Sequence, residues 1–511
     1  MSSPIDRTVP TVSLVGAGPG DAGLLTRRGA ELLARADLVL ADALVGPDVL
    51  ALANPAAEMV TRTHAPTDAP GAREANQNAL IARMIAEAQA GRRVVRLKGG
   101  DPSIFGRGAE EADALLAAGV PVEVVPGVTA AIAASGLSGI PLTHRDHAGA
   151  VCFVTGHDAG RAREQIDWRA LAAFPGTRVF YMGRRRLRRI AASLIEHGLS
   201  PQTPAAVVSQ AATPEQRTVC GTVATIAADC DAAALPGPAI LLVGTAATEP
   251  GDRGWWERRP LHGLSAALVG AGPQPAAAER LRAAGAEAVD VPLLATPRIA
   301  APDGLAEAVD ALRPGDAIAF TSSNGVDGFG RLFEGPERRD LRALFGVTLA
   351  CVGPSTAAAL APLRLVADLA PEEYSAEALA DALAPHVRGK RVLWPTCPEA
   401  KPTLADRLSA AGAEVRRVHV YRQAPATALP ADAAALLDAG RLDWALIASG
   451  NLGRSFAELS EGSAGRARLK VAAISENVAA ACRDAGLHVA AVAAEATWDG
   501  LVDAVSEAET A

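Results

Sequence analysis

The segment Arg96-Leu97-Lys98-Gly99-Gly100-Asp101-Pro102-Ser103-Ile104-Phe105-Gly106-Arg107-Gly108 sets two adjacent glycines, a carboxylate and a proline behind an apolar run. Such residues leave backbone groups open to a polar ligand at close range, because glycine carries no Cβ. A second glycine turn, Val15-Gly16-Ala17-Gly18-Pro19-Gly20-Asp21, also follows an apolar run. Its last glycine comes two residues after the second, with a proline between, so it departs from the GxGxxG spacing of dinucleotide folds. Asp42 ends a third run, Leu38-Val39-Leu40-Ala41, where an aspartate either takes a proton or caps the next helix. Arg107, His144 and Arg145 could grip carboxylates, or could serve internal ion pairs. Two turns of the second half, Phe320-Thr321-Ser322-Ser323-Asn324-Gly325 and Val352-Gly353-Pro354-Ser355-Thr356, carry hydroxyls where a strand meets a helix. That position suits a carboxylate ligand and equally suits a plain N-cap.

The elements that must hold these residues alternate along the whole chain. Short apolar runs such as 12–18, 36–42, 92–100, 120–127, 150–156, 177–183 and 239–244 are separated by Ala/Leu/Glu/Arg segments of helical period, an α/β signature. The rhythm resumes after residue 261, with runs at 264–272, 316–324, 347–353, 390–396, 443–450 and 469–475. Between the two series, 248–263 is rich in proline, glycine and charge and has no period, which places the main boundary there. The helix after the first glycine turn is expected to begin near Leu24. The second half divides again near Thr296-Pro297 and near 421–425.

Composition limits the partners. Residues 1–260 hold 26 acidic and 26 basic side chains, whereas 261–511 hold 31 and 23, so the net charge of −8 lies in the second half. A polyanion coat carries a basic excess, and nucleic acid is therefore disfavoured as a partner. The arginine-rich run at 184–189 opens a helix and reads first as a solvated face. The six cysteines form no CxxC pair or Cys/His cluster, so neither a metal site nor a disulfide framework is expected. No basic leader and no apolar stretch of about 18 residues occurs, which predicts a soluble, cytoplasmic protein without a membrane partner.

The RLKGGDPSIFGRG segment, with Val125-Pro126-Gly127-Val128-Thr129-Ala130, Gly139-Ile140-Pro141-Leu142-Thr143-His144-Arg145-Asp146 and Phe180-Tyr181-Met182-Gly183, resembles the uroporphyrinogen-III C-methyltransferases over residues 11 to about 250. The resemblance implies two αβα lobes, a homodimer, and transfer of two methyl groups from S-adenosylmethionine to uroporphyrinogen III, giving precorrin-2. It places the cofactor against Pro19, Gly99, Gly100, Asp101, Ile104, Thr129, Ala130, Met182 and Ala211. It makes Asp42 the proton acceptor; Arg107, His144 and Arg145 are the candidates for the substrate's carboxylates, because guanidinium groups grip carboxylates bidentately. The family's usual Gly-Lys pair is absent; Arg62 and His64 occupy that region.

Spread over 264–505, the two hydroxyl turns together with Gly389-Lys390-Arg391, Val418-His419-Val420-Tyr421-Arg422, Ile447-Ala448-Ser449-Gly450-Asn451 and Thr497-Trp498-Asp499-Gly500 resemble uroporphyrinogen-III synthase. This implies two α/β lobes joined by a two-stranded connector and a cofactor-free closure of hydroxymethylbilane to uroporphyrinogen III with inversion of the last ring. Tyr421 would help the hydroxyl leave, and Thr321, Ser322, Thr356 and Ser449 would line the carboxylate sites. The domains are then 11–250, a linker at 251–263, and 264–505. The expected protein is a bifunctional enzyme of tetrapyrrole biosynthesis. Two alternatives stand beside it: an inactive second half that binds tetrapyrrole or stabilises a dimer, and a methyltransferase for a later corrin intermediate.

Overall fold

Apolar runs that end in glycine or a carboxylate become strands whose C-terminal ends carry the candidate residues. The computed structural model describes residues 11–61, 72–156, 166–248, 250–334 and 338–510. Arg62 and His64 lie outside the described residues. The chain separates into one compact unit of residues 1–266, 279–288 and 506–511 and a second of 267–278 and 289–505.

The first unit opens with β1 (Val12–Gly16), β2 (Leu38–Ala41), β3 (Glu58–Thr61), β4 (Val94–Lys98) and β5 (Val122–Val125). They form one sheet in the order β3-β2-β4-β1-β5, parallel at every pairing. β1, β2 and β4 are buried along their whole length, as strands covered by helices on both faces must be. β1 runs between β4 and β5, so the chain leaves the sheet in opposite directions there, and a crevice opens at the strands' carboxyl ends. A second sheet holds β6 (Val151–Thr155), β7 (Thr177–Tyr181), β8 (Pro204–Ser209), β9 (Arg217–Thr222) and β10 (Ala239–Val243) in the order β6-β7-β10-β8-β9. Only β6 and β7 are parallel in it; β8 pairs antiparallel with both β9 and β10.

Two local expectations shift. The helix expected near Leu24 starts later, at Arg27–Leu33 with Thr26 as its cap, because Ala22–Leu24 is a 3-10 turn that Asp21 caps through Gly23 N at 2.7 Å. Residues 251–263 are not bare chain. They hold two 3-10 turns, Gly251–Arg253 and Trp256–Arg258, and Trp256 is buried because its indole finds an apolar bed.

In the second half, β11 (Ser265–Gly270), β12 (Glu287–Pro292), β19 (Trp444–Ile447), β20 (Lys470–Ala473) and β21 (Val489–Val492) form a sheet in the order β12-β11-β19-β20-β21. β14 (Ala317–Phe320), β15 (Thr348–Cys351), β16 (Arg391–Thr396) and β17 (Glu414–His419) form a parallel one, β15-β14-β16-β17. The chain passes between these lobes twice, through β13 (Leu294–Ala295) and β18 (Ala424–Pro425), which pair antiparallel. A bridge from Arg298 to Tyr421 extends that connector. The two-lobe architecture with a two-stranded connector is thus the one the resemblance implied.

Candidate functional site

At the crevice of the first sheet, three backbones meet with no side chain between them. A Cβ on Gly16 would stand 2.6 Å from Gly100 O and from Gly127 N, and one on Gly127 would stand 2.3 Å from Gly100 O. Gly18 and Gly100 bridge each other reciprocally, N to O at 3.2 and 2.8 Å, and both have positive φ. Asp101 fastens the arrangement: its carboxylate accepts from Ser103 N at 2.7 Å and from Gly127 N at 2.9 Å. Expected as a ligand contact, Asp101 is thereby also the tie between the loops after β4 and β5.

Backbone strain concentrates in the loops after β4, β7 and β8. Seven non-glycine residues among those described have positive φ, and Phe105, Arg107, Met182, Gln210 and Ala212 are five of them. Each such residue costs on the order of 1–3 kcal/mol and persists where the surroundings fix it, commonly at a ligand site. Met182 is 53% exposed although apolar, as a floor for a flat ligand would be. Ile104, Ala130 and Ala211 are partly buried against one apolar cluster, which brings the loops after β4, β5 and β8 to a common wall. Pro19 and Gly99 are half-buried beside the glycine meeting point.

Thr129 is buried and shares a 2.8 Å hydrogen bond with the hydroxyl of Tyr181, which also accepts from Ala131 N. Tyr181 was not singled out by sequence, although it sits in the Phe180-Tyr181-Met182-Gly183 motif; its ring meets Phe105 and Phe153 at centroid distances of 5.0 and 5.6 Å. Burial pushes its phenol above the usual range.

Asp42, at the end of β2, is 29% exposed and ion-paired to Arg96, which is 1% exposed. Behind that pair lies a buried charge cluster that the sequence did not disclose. Glu111, fully buried, accepts from Lys98 Nζ at 3.0 and 3.1 Å, from Gln77 Nε2 at 2.7 Å and from Arg96 Nε at 3.4 Å. Arg96 also donates to Leu40 O and Leu97 O, both at 3.1 Å. Two cations and two carboxylates satisfy one another, with only Asp42 reaching the surface. Burial, followed by the Arg96 charge, pulls Lys98 below the ordinary lysine range.

Of the substrate candidates, Arg107 already grips Glu110 at 2.6–3.1 Å, an exposed pair. His144 Nδ1 accepts from Asp146 N at 3.2 Å, and its ring faces His147 at 4.6 Å. Arg145 is exposed. In the 184–189 run, Arg184 and Arg188 pair with Asp231.

In the second half, Tyr421 brings the connector to the end of β14: its hydroxyl lies 3.0 Å from Ser322 Oγ, which caps helix Ser323–Gly330 by accepting from Gly325 N at 3.1 Å. Burial is the main reason the Tyr421 phenol is pushed up to about 12; the Ser322 hydrogen bond opposes the rise and the Cys397 thiol adds to it. Thr321 Oγ1 accepts from Trp394 Nε1 at 3.0 Å. Thr356 is almost wholly buried, and Ser449 stands apart as the cap of helix Gly450–Leu459 in the other lobe. Sequence missed Thr396, at the end of β16, whose buried hydroxyl has no partner among the described residues. A hydroxyl of this kind gives no signal in sequence, because its isolation is created by packing.

The chain matches two family profiles. Residues 11–227 match the tetrapyrrole (corrin/porphyrin) methylases, and residues 275–503 match uroporphyrinogen-III synthase HemD. A porphyrin biosynthesis protein HemD of Ruminiclostridium josui is 35% identical over 379 residues, 74% of each chain. A siroheme synthase of Neisseria meningitidis serogroup A is 49% identical over 236 residues, 46% of this chain and 47% of that one. The chain therefore spans about half the length of that relative. Among solved structures, a uroporphyrin-III C-methyl transferase of Thermus thermophilus complexed with S-adenyl homocysteine is 40% identical, covering 46% of this chain and 97% of its own, with a TM-score of 0.39.

Proposed function

From a chain that belongs to the family in which a tetrapyrrole methylase is joined to a uroporphyrinogen-III synthase, we infer a bifunctional enzyme whose second half makes uroporphyrinogen III and whose first half methylates it twice. The observation that carries this reading is the meeting of Gly16, Gly100 and Gly127, which leaves bare backbone at a sheet crevice flanked by strained loops. That arrangement suits a ligand such as S-adenosylmethionine, whose amino acid and ribose need backbone donors and acceptors and whose adenine needs an apolar floor. When bound, that cofactor supplies a methyl group on a sulfonium. The chain's own task is alignment, which in favourable intramolecular models is worth up to about 7–11 kcal/mol.

Asp42 takes the proton that the macrocycle releases after each transfer, and Arg96 holds its carboxylate in place. Arg107, His144 and Arg145 offer donors to the substrate's carboxylates, with Arg107 exchanging Glu110 for its ligand. In the second half, the neutral Tyr421 hydroxyl assists departure of the hydroxymethylbilane hydroxyl by donating a hydrogen bond. Thr321, Ser322 and Ser449 supply hydroxyls to carboxylates, and Thr356 joins them only if the lobe opens. The domains of this reading are 11–250 and 264–505, and assembly is as a homodimer.

The test is a coupled assay with hydroxymethylbilane and S-adenosylmethionine. A dimethylated type III product is expected. Isomer I alone would instead leave the second half as a binding module, and a type III product without added methyl groups would overturn the methyltransferase assignment.

A further inference from the structure

Residues 250–262 have the composition of a tether, but their side chains are built into the loops that the proposed cofactor would touch. Trp256 is 5% exposed and belongs to an apolar cluster with Ala133, Leu137 and Ala212, flanked by Leu24 and Val128. That cluster draws together the chain after β1, after β5 and after β8. Its indole N–H donates to Thr213 O at 3.0 Å, and the Arg259 guanidinium covers the ring at 3.5 Å while donating to Trp256 O.

Glu257 makes a second tie. Its carboxylate accepts from Gln216 Nε2 and from Thr218 N, each at 3.1 Å, and from the Thr218 hydroxyl. Gln216 is fully buried and passes the constraint on, because its side-chain oxygen accepts from Ala212 N at 3.1 Å. The loop so held contains two non-glycine residues of positive φ, Gln210 and Ala212. Its next residue, Thr213, sits against Gly20, where a Cβ would lie 3.2 Å from Thr213 Cγ2 and 3.3 Å from Ala212 O. A strained loop without a brace relaxes, and here the brace comes from outside the methylase profile, which ends at residue 227.

We propose that Trp256 and Glu257 are positioning residues of the cofactor cleft, which hold the 19–24, 127–130 and 210–213 loops in their binding form. The proposal rests on the reading of those loops as the S-adenosylmethionine site. It is tested on the full-length chain by titrating S-adenosylhomocysteine calorimetrically into the parent, Trp256→Ala, Trp256→Phe and Glu257→Gln, with circular dichroism as the check on folding. Affinity should fall at least tenfold in Trp256→Ala and Glu257→Gln and largely return in Trp256→Phe. The KM for S-adenosylmethionine should rise by a similar factor, with kcat at saturating cofactor changed less than threefold. Folded variants that bind within twofold of the parent would overturn the positioning role alone. A parent that binds no S-adenosylhomocysteine would overturn the cofactor reading and this proposal with it. Should Trp256→Ala fail to fold, Glu257→Gln decides, since it changes one atom and leaves the indole in place.

Discussion

Tyr421 and Asp42 show how differently two candidate groups are prepared. Tyr421 is a phenol whose burial keeps it neutral, with a folded value of about 12 against roughly 10 in an unfolded chain. The unfolded chain therefore loses this proton first. Stability tied to Tyr421 is whole below about pH 10 and declines as pH rises toward 12. Tyr421→Phe should remove that part of the alkaline decline, and a phenolate absorbance titration should lose its latest component. In the synthase assay the same variant should slow type III formation by about 10- to 100-fold, with the isomer I fraction rising. Asp42 is a partly exposed side chain held by a buried guanidinium. Asp42→Asn should lower methyl transfer at least 100-fold while S-adenosylhomocysteine binding, measured by calorimetry, changes little, because the tie between the loops after β4 and β5 is made by Asp101.

At the scale of elements, the buried charge cluster ties β2, β4 and helix Gly108–Ala117 together through Asp42, Arg96, Lys98 and Glu111. Removing one partner of such a cluster strands the others without water. Glu111→Gln should destabilise the first unit by about 3–5 kcal/mol. The exposed neighbour Glu110→Gln should cost no more than about 1 kcal/mol. Urea unfolding monitored by far-ultraviolet circular dichroism separates the two. In sequence these glutamates look alike, adjacent acids in the first turn of a helix, and only the fold decides which one faces β4. The strands marked by unbroken apolar runs, from β1 to β20, were legible, and so was the Tyr421 connector from its flanking breaks, whereas β3, β9 and β12 are partly exposed and mix polar with apolar residues, so they gave no such run. The later start of the first helix was not, since Asp21 and Thr26 are both good caps and the sequence does not rank them. Trp256 was hidden by its neighbours, whose charges and prolines give the segment the look of a linker.

For the molecule as a whole, no helix among the described residues is long and apolar enough to cross a membrane, and all six cysteines are free thiols. Four of them, Cys230, Cys351, Cys397 and Cys482, are buried. Omitting reductant during a short thermal melt should leave the midpoint unchanged within about 1 °C, because no disulfide contributes to the folded state. On the proposed reading, the acidic excess of residues 261–511 leaves local hydroxyls and helix ends to hold an octacarboxylate against an unfavourable general field. Raising ionic strength from about 0.02 to 0.2 M should therefore lower the KM for hydroxymethylbilane, the reverse of what a basic cleft would show.

The meeting of Gly16, Gly100 and Gly127 has a consequence for engineering. Where three main chains touch, there is no side chain to enlarge, trim or recharge, and any replacement there moves the sheet before it alters selectivity. On the proposed cofactor reading, a variant meant to accept a sulfonium carrying a group larger than methyl is better sought at Met182 or Ala211, where side chains exist to be exchanged. Libraries that randomise the glycines should return inactive protein almost without exception, whereas libraries at those two positions should keep most of their members folded.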